Sequence, residues 1–449
     1  MALSGHHERE MLAFRRRNSA ACIGALRDHG VLTVSDLARI TGLSRPTVES
    51  IVADFESHGL VTNEQQTATA AKGRPARRVA FNASAGYVAG VDLGLHRVTV
   101  LISDLAGTIV GAALHDLGAV VTGSELITLA AATLKRALAK LDATRLAAVT
   151  VCISGIVDAA GRVLQSNVLP EWNGLDLAAS LSGKLACPVI VENDVNMAAV
   201  GELHAGAAQN ADDVVFIMVG HRLSAAIILG GALHRGRNFA AGEVGDLEST
   251  GWGYHDVHET SVLGAFLGRD PEEVFAAAQA GDADALQLVT RFAHRIIRGI
   301  AVVGLTVDPD VIVIGGGLSA GPVLLGALQA ELARLVTRST QPPLVSSTLG
   351  RAGVSLGGLV RSLEVVSERL YGSTDIAVPR FRLPATGSIQ ADAGAARSGA
   401  ARSGAAASGS VNSDAASEPA SPGPATFGAR LATYAASANT SAHATHPLS

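Results

Sequence analysis

Two short acidic segments in the middle of the chain carry side chains that could bind a polar small molecule. Asn193 and Asp194 follow the apolar run 189–191, and the glycine-flanked segment 241–246 contributes Glu243 and Asp246. Loops at the carboxyl ends of strands are where α/β proteins bind ligands. Carboxylates and amides there accept and donate hydrogen bonds in pairs, which suits the vicinal hydroxyls of a sugar. A structural role is equally open, since Asn193 or Asp194 could cap the helix that follows.

A second informative pattern lies near the N-terminus, in residues 34–53. Ala38 is small enough for two helices that cross closely, and Gly42 suits a turn that needs positive φ. Val48 and Ile51 are one turn apart and would seat a second helix on the first. This spacing predicts a helix-turn-helix, with an ordinary helical hairpin as the alternative.

The second helix of this motif is the candidate DNA-reading element. Ser44 is a good N-cap, and Pro46 is tolerated early in a helix. Side chains on the first turns would lie within reach of base edges in the major groove. These candidate DNA-binding side chains are Ser44, Arg45, Thr47 and Glu49. Arg45 could instead contact phosphate, which positions a protein without discriminating sequence.

A basic segment, residues 72–78, precedes a predicted strand at 79–81. A helix-turn-helix followed by a basic hairpin is the winged-helix arrangement. We expect Arg74 and Arg77 to contact the DNA backbone or a narrow minor groove. The alternative for this segment is a solvated interdomain linker.

Composition limits the class of protein. The chain has 449 residues, 48% of them hydrophobic, and a net charge of −5. This charge argues against a protein that coats nucleic acid over its whole surface, but not against one small DNA-binding domain. No signal-peptide core or membrane span is predicted. Cys22, Cys152 and Cys187 are far apart in apolar surroundings, which favours buried thiols in a reducing cytoplasm.

Three regions differ in pattern. Residues 1–80 are helical and basic, and residues 377–449, rich in Ala, Ser, Gly and Pro, are predicted to be disordered. Residues 82–372 alternate strands with helices, which predicts an α/β fold in two halves that begin near residues 86 and 212. The predicted strands are 87–93, 98–103, 108–113, 148–153, 189–191, 214–219, 225–229 and 311–314, and the helices are 122–141, 195–205, 271–280 and 285–307.

Four motifs resemble the signatures of the ROK family, which groups sugar kinases with sugar-responsive repressors. They are residues 92–94 (Asp-Leu-Gly), 192–196 (Glu-Asn-Asp-Val-Asn), 241–245 (Ala-Gly-Glu-Val-Gly) and 308–317 (Asp-Pro-Asp-Val-Ile-Val-Ile-Gly-Gly-Gly). The resemblance covers roughly residues 20–372, and the winged helix marks the repressor branch. It implies a two-lobed actin/hexokinase-like (ribonuclease H-like) fold. It also implies a general-base position at Asp194 and a sugar-binding role for Glu243.

Two turns that meet ATP phosphates in the family's kinases differ in this chain. Leu-His-Arg at 95–97 replaces a Gly-Thr pair, and Gly-His-Arg-Leu-Ser-Ala-Ala at 220–226 replaces a Gly-Thr-Gly-rich turn. Side chains at these places block the close backbone approach that glycine permits. We therefore expect no nucleotide cofactor and no catalytic residue. Arg222 as a phosphate ligand is the alternative.

The family's zinc loop is also missing. Asp246 replaces the histidine after 241–245, and no cysteine-rich segment follows. His255 and His258 lack a third clear ligand, so we expect a solvated polar loop and no metal. Glu259 is matched with the family's sugar-binding glutamate beyond that loop. A carboxylate at 246 would repel anionic sugars, which favours a neutral monosaccharide.

The sequence thus predicts a cytoplasmic transcriptional regulator, a repressor of carbohydrate metabolism genes. A winged helix would bind an inverted-repeat operator, because a homodimer or a dimer of dimers presents two copies. An inactive sugar-kinase-like domain would bind the effector through Asn193, Asp194, Glu243, Asp246 and Glu259. The alternatives are an active ATP-dependent sugar kinase and a constitutive DNA-binding protein with a decayed effector site.

Overall fold

The computed structural model describes residues 2–64, 77–117, 122–141, 145–220, 222–252, 262–316, 321–336, 341–371, 376–383 and Leu431. Side chains are not described for residues 2–12, 246, 248, 262, 263, 265 and 272. Within these ranges, no helix is both long and apolar enough to cross a membrane.

The N-terminal domain is a helix-turn-helix completed by a small sheet. Thr33 caps the second helix by accepting from the Asp36 amide, and that helix ends at Gly42, whose φ is 71°. Ser44 caps the third helix by accepting from the Thr47 amide. The three strands are antiparallel in the order β1-β3-β2. The elements are α1 (Ala2–His29), β1 (Leu32–Thr33), α2 (Val34–Thr41), α3 (Arg45–Ser57), β2 (Val61–Glu64) and β3 (Arg78–Phe81).

The first lobe follows a short 3-10 turn at Ala83–Ala85. Its sheet has the order β10-β7-β4-β5-β6, with an antiparallel meander β4-β5-β6 and two strands, β7 and β10, parallel to β4. The elements are β4 (Tyr87–Leu93), β5 (Arg97–Asp104), β6 (Ile109–Asp116), α4 (Gly123–Ala139), β7 (Leu146–Ile153), β8 (Ile156–Val157), β9 (Val163–Gln165), α5 (Leu177–Leu185), β10 (Val189–Asn193) and α6 (Asp194–Ala205).

The second lobe repeats this arrangement. Its sheet has the order β13-β12-β11-β14-β15, again a three-stranded meander with two parallel strands beside its first member. The duplication confirms the predicted two-lobed fold class. The elements are β11 (Val214–Val219), β12 (Leu223–Leu229), β13 (Ala232–Leu233), α7 (Val262–Leu267), α8 (Pro271–Gln279), α9 (Ala283–Val307), β14 (Val311–Gly315), α10 (Pro322–Leu335) and β15 (Leu344–Ser346). The last helix, α11 (Gly353–Tyr371), returns to the first lobe and packs on its sheet.

Two helices, α6 and α11, pack against each other between the sheets. Helix α6 contacts β11 and β12 of the second lobe, whereas α11 contacts β4 and β7 of the first. Glycine allows the backbones to approach. A Cβ atom on Gly357 would lie 1.8 Å from the Met197 carbonyl oxygen, and one on Gly90 would lie 1.9 Å from the Ser355 carbonyl oxygen. No residue larger than glycine fits either position without backbone movement.

The N-terminal domain and the first lobe share one hydrophobic cluster. Cys22, Leu26 and Phe55 are buried in the same cluster as Leu363 and other residues of α11. The rings of Phe55 and Tyr371 meet edge to face, with centroids 6.4 Å apart. The N-terminal domain is therefore packed on the lobe rather than joined to it by a free linker.

The ordered chain extends further than predicted, because residues 377–383 do not belong to a disordered tail. Ile376 and Phe381 are buried in the shared cluster. The Ile109 amide donates to the Arg382 carbonyl over 2.8 Å, and the His204 ring nitrogen pairs with the Pro379 carbonyl at 3.0 Å. Two buried apolar side chains and backbone hydrogen bonds hold this segment. Leu431 is buried in the cluster too, and the rest of the predicted tail lies outside the described residues.

The close helix contact generates a first prediction. We expect Gly357→Ala to destabilise the protein by about 1–3 kcal/mol, because its methyl group would overlap the Met197 carbonyl. Gly326→Ala is the matched control, since a Cβ atom on Gly326, in α10, would have no other atom within 4 Å. Alanine there should gain about 0.5–1 kcal/mol of helix propensity. Urea unfolding of both variants measures the difference, and equal stability would contradict the packing argument.

Candidate ligand-binding cleft and nucleic-acid interface

A pocket that is partly open to solvent lies between the two lobes. Three of the predicted effector-binding residues, Asn193, Asp194 and Glu243, are brought together there. The remaining lining residues are Ser154, Gly155, Ile156, Gln165, Asn167, Val168, Arg222 and Ser224.

Asn193 is held by two structural hydrogen bonds. Its Oδ1 atom accepts from the Asn196 amide over 2.9 Å, which caps α6, and its Nδ2 atom donates to the Gly155 carbonyl over 3.0 Å. The capping role is therefore confirmed for Asn193. The second bond ties the start of α6 to the loop after β7, so that Asp194 and Gly155 face the same pocket.

Glu243 reaches the pocket because its loop crosses β12 closely. Gly242 has φ of +91°, and a Cβ atom on it would lie 2.1 Å from the Ala225 carbonyl oxygen. The Ala225 amide in turn donates to the Gly242 carbonyl over 3.3 Å. Only glycine meets both demands, which places Glu243 beside Ser224 in the lining.

Two neighbouring carboxyl groups have raised pKa values: Asp194, which lines the pocket, and Asp92, whose charge acts on Asp194. Loss of hydration, together with the charges of Asp92 and Glu243, raises the pKa of Asp194 to about 8. Loss of hydration likewise raises the pKa of Asp92 to about 7, against the opposing charge of Arg97. Groups of this kind cluster at functional sites. The Asp194 carboxyl group can accept and, when protonated, donate hydrogen bonds to hydroxyl groups.

Arg222 occupies the turn between β11 and β12 and extends toward the first lobe. Its Nη2 atom donates to the Asn167 carbonyl over 3.3 Å, which joins the two sides of the pocket. Arg97, at the other replaced turn, pairs with Asp116 over 2.6 Å. Both turns therefore present arginine side chains that are engaged within the protein.

Sequence reasoning missed several polar lining residues, namely Ser154, Gln165, Asn167 and Ser224. The only sequence signal for them is that they follow or enter strands of the α/β pattern. Asp246 ends a short 3-10 turn, Val244–Asp246, and its side chain is not described. Glu259, His255 and His258 lie outside the described residues. Their roles, and the absence of a metal, stay predictions.

The candidate DNA-binding residues lie at the exposed start of α3. The Ser44 and Thr47 hydroxyl groups are 2.8 Å apart, and Arg45 Nε donates to Glu49 Oε1 over 2.9 Å. Arg45 and Glu49 are exposed, whereas Val48 on the opposite face is fully buried. The helix thus presents a polar face to solvent and seats its apolar face on the domain core.

Of the two arginines predicted to contact DNA from the wing, only Arg77 lies in the described part of the chain. Arg77 is ion-paired with Glu56 of α3, and its Nε atom donates to Asn63 Oδ1 over 3.0 Å. It therefore fastens β2 and β3 to α3. Arg74 lies outside the described residues.

Comparison with known families follows the same division of the chain. Residues 88–255 and 264–358 match the model of the ROK family, and residues 17–70 match that of the MarR family. The chain belongs to the ROK family. Its ROK domain stands behind a MarR-type winged helix-turn-helix, which is the domain arrangement of a DNA-binding transcriptional regulator.

Individual relatives include both regulators and kinases. The xylose repressor of Bacillus subtilis (strain 168) is 24% identical over 348 residues, covering 72% of this chain and 88% of that protein. The beta-glucoside kinase of Listeria monocytogenes serovar 1/2a is 28% identical over 197 residues, covering 40% of this chain and 67% of the kinase. The repressor alignment extends over much more of this chain than the kinase alignment.

Solved structures agree on the fold. A ROK family transcriptional regulator, described as a homologue of the E. coli MLC protein, superposes with a TM-score of 0.61 at 20% identity. The match covers 80% of this chain and 97% of that one. A ROK family glucokinase from Streptomyces griseus, solved with glucose and AMPPNP, has a TM-score of 0.53 at 24% identity. It covers 62% of this chain and 99% of the glucokinase.

The raised pKa of Asp194 generates a second prediction. An unfolded aspartate ionises near its ordinary pKa, but in the folded protein Asp194 keeps its proton until about pH 8. The folded state binds more protons over this interval, so its stability falls as pH rises toward 8. We expect Asp194→Asn to remove this contribution. The melting temperature of the variant should exceed that of the wild type above about pH 8, and the gap should narrow near about pH 5.

Asp282→Asn is the control for replacing a carboxylate at the start of a helix, because Asp282 caps α9 outside the cleft. Asparagine is also a good cap, so the helix itself should be little affected. A stability difference between Asp194→Asn and the wild type that stays constant over this pH range would contradict the pKa assignment.

Proposed function

We propose that this ROK family protein is a sugar-responsive, DNA-binding transcriptional repressor whose ROK domain does not phosphorylate sugar. The observation that carries the proposal is the packing of a winged helix-turn-helix and the first ROK lobe around one hydrophobic cluster. A change in the first lobe would therefore reach the DNA-binding domain through this shared core. We further propose that the protein acts in the cytoplasm as a homodimer on an inverted repeat.

The start of α3 is the proposed DNA-reading surface. Arg45 and Glu49 are exposed there, and α3 begins with a side-chain cap that fixes its direction. A recognition helix of this type places its N-terminal residues against base edges in the major groove. The Arg45–Glu49 ion pair is exposed, so its loss on binding DNA costs little.

The lack of kinase activity is proposed from the two replaced turns. Phosphoryl transfer depends almost entirely on positioning and on neutralising the charge of the phosphates. In this chain Arg222 bonds across the cleft, and Arg97 is paired with Asp116. Both turns carry side chains where glycines would let a phosphate approach the backbone. Asp194 would then serve as a hydrogen-bond partner rather than as a base.

The effector is proposed to be a neutral monosaccharide. Asp194 and Glu243 supply acceptors, while Ser154, Gln165 and Ser224 add groups that both accept and donate. An anionic ligand would add negative charge beside Asp92 and Glu243, whose charges already help to raise the pKa of Asp194. The xylose repressor and glucokinase relatives make xylose and glucose the first sugars to test.

The DNA-binding proposal gives a third prediction. If Arg45 contacts guanine through two hydrogen bonds, Arg45→Ala should cost about 1–3 kcal/mol at one base position. Adding Arg74→Ala should weaken binding to all sequences, because a phosphate or minor-groove contact would be lost. Fluorescence anisotropy on an operator selected from random DNA measures both. Arg334→Ala, an exposed arginine on α10, is the control, and unchanged binding by the double variant would overturn the model.

The effector proposal gives a fourth prediction. Calorimetry with xylose, glucose and their phosphates should show binding of a neutral sugar to the wild type and its loss in Asp194→Ala. A tenfold change in operator affinity requires the sugar to favour one lobe arrangement by about 1.4 kcal/mol, which a few hydrogen bonds can supply. Incubation with ATP should yield no sugar phosphate.

Each alternative function has its own signature in these assays. Sugar-dependent ADP release that disappears in Asp194→Ala would establish the kinase function. Equal heats in the wild type and the variant, or none in either, would favour the decayed effector site.

A further inference from the structure

We propose that Glu192 is a positioning residue that links the effector-binding loop to the DNA-binding domain. Its carboxylate would pair with Arg235 in one state of the protein and with Arg361 in the other. This inference rests on the proposed function, because it concerns how occupancy of the cleft would reach the operator-binding helix. In the sequence, Glu192 stands out only as part of the motif around Asp194.

The carboxylate is buried and is shared by two arginines from different elements. Glu192 is 8% exposed and lies on β10, two residues before Asp194. Its Oε1 atom accepts from Arg235 Nη2 over 2.5 Å. The same oxygen lies 3.5 Å from Arg361 Nε. Among the described residues, that Nε atom has no hydrogen-bond partner although it is buried.

This geometry contains two alternative pairings. A buried donor without a partner is unfavourable, and so is a buried carboxylate without a counter-charge. When Arg235 holds Oε1, Arg361 Nε is left unsatisfied. If Arg235 withdrew, Arg361 would need to move only from 3.5 Å to hydrogen-bond distance to satisfy both groups. The two pairings differ by a small displacement of Arg361.

Arg235 is attached to the effector side of the cleft. It follows β13 in the second lobe and lies in the same loop as Glu243. The Ala241 amide donates to the Arg235 carbonyl over 3.2 Å, which closes the loop on itself. A ligand that draws Glu243 toward Asp194 would therefore move Arg235 relative to Glu192.

Arg361 is attached to the DNA-binding side. It lies on α11, and its Nη1 atom donates to Glu364 over 3.0 Å. Tyr371, at the end of the same helix, packs on Phe55 of α3. A helix rises about 1.5 Å per residue, so a displacement at Arg361 acts on a rigid rod about 15 Å from Tyr371.

The test uses opposite shifts in operator affinity. Arg235→Gln leaves Glu192 to Arg361, whereas Arg361→Gln leaves it to Arg235. We expect the two variants of the full chain to change operator affinity in opposite directions, each by about threefold or more. Glu192→Gln removes the negative charge for which the two arginines compete. Its operator affinity should lie between the affinities of Arg235→Gln and Arg361→Gln. Arg361→Lys should restore affinity toward that of the wild type.

A merely structural ion pair predicts a different pattern. Each substitution would then lower stability and operator affinity alike, with no reversal of sign. Urea unfolding of each variant checks that it is folded, and the single variants keep one partner for Glu192. Shifts in the same direction, or no shift in any folded variant, would overturn the inference.

The same proteins separate this inference from the proposed function. Operator binding is measured again with xylose and with glucose. Opposite shifts in the variants with no sugar response in the wild type would support the Glu192 exchange and count against sugar sensing. A sugar response in the wild type, with shifts of the variants in one direction only, would support sugar sensing and contradict the Glu192 exchange.

Discussion

The contact between α6 and α11 is the constraint on which the rest of this molecule depends. The two helices approach so closely that glycine is required where they cross, and each is fastened to a different sheet. Because protein interiors are close-packed and resist deformation, this contact fixes the position of one lobe relative to the other. The start of α6 then brings Asp194 to the cleft, and the end of α11 brings Tyr371 to the DNA-binding domain. A single helix pair thus positions both candidate sites.

Local features of the fold could be predicted from the sequence, and non-local ones could not. The turn at Gly42 and the cap at Ser44 depend only on neighbouring residues, so the residue types at these positions were enough to predict both features. Helix α11 was missed because Gly357, Gly358 and the serines around them lower helix propensity and break the apolar pattern. Small residues are needed there because α11 packs closely against the Met197 carbonyl and β4, and no local sequence pattern reveals those contacts. The segment 376–383 was missed for the same reason, since its partners lie on β6 and α6.

The proposed function requires a cleft that binds sugar without phosphorylating it, and the sequence pointed to only some of the residues in that cleft. Residue types identified Asp194 and Glu243, but they could not decide between capping and binding for Asn193. The structure shows that Asn193 caps α6 through its Oδ1 atom and also lines the pocket, so its predicted role in binding stays a prediction. Gln165 and Asn167 carried no signal, because isolated amides after a strand are common on protein surfaces. Side chains that converge from distant elements can be recognised only once the elements are placed.

The shared hydrophobic cluster has a consequence for the folding of the nascent chain. The N-terminal helices leave the ribosome first, but the apolar face that α1 and α3 turn toward the lobe meets α11 only after about 300 further residues have been made. At ~5–20 residues per second, this interval lasts tens of seconds. The apolar face that the N-terminal domain turns toward α11 therefore stays exposed on the nascent chain throughout this interval, and it is covered only when the lobe folds.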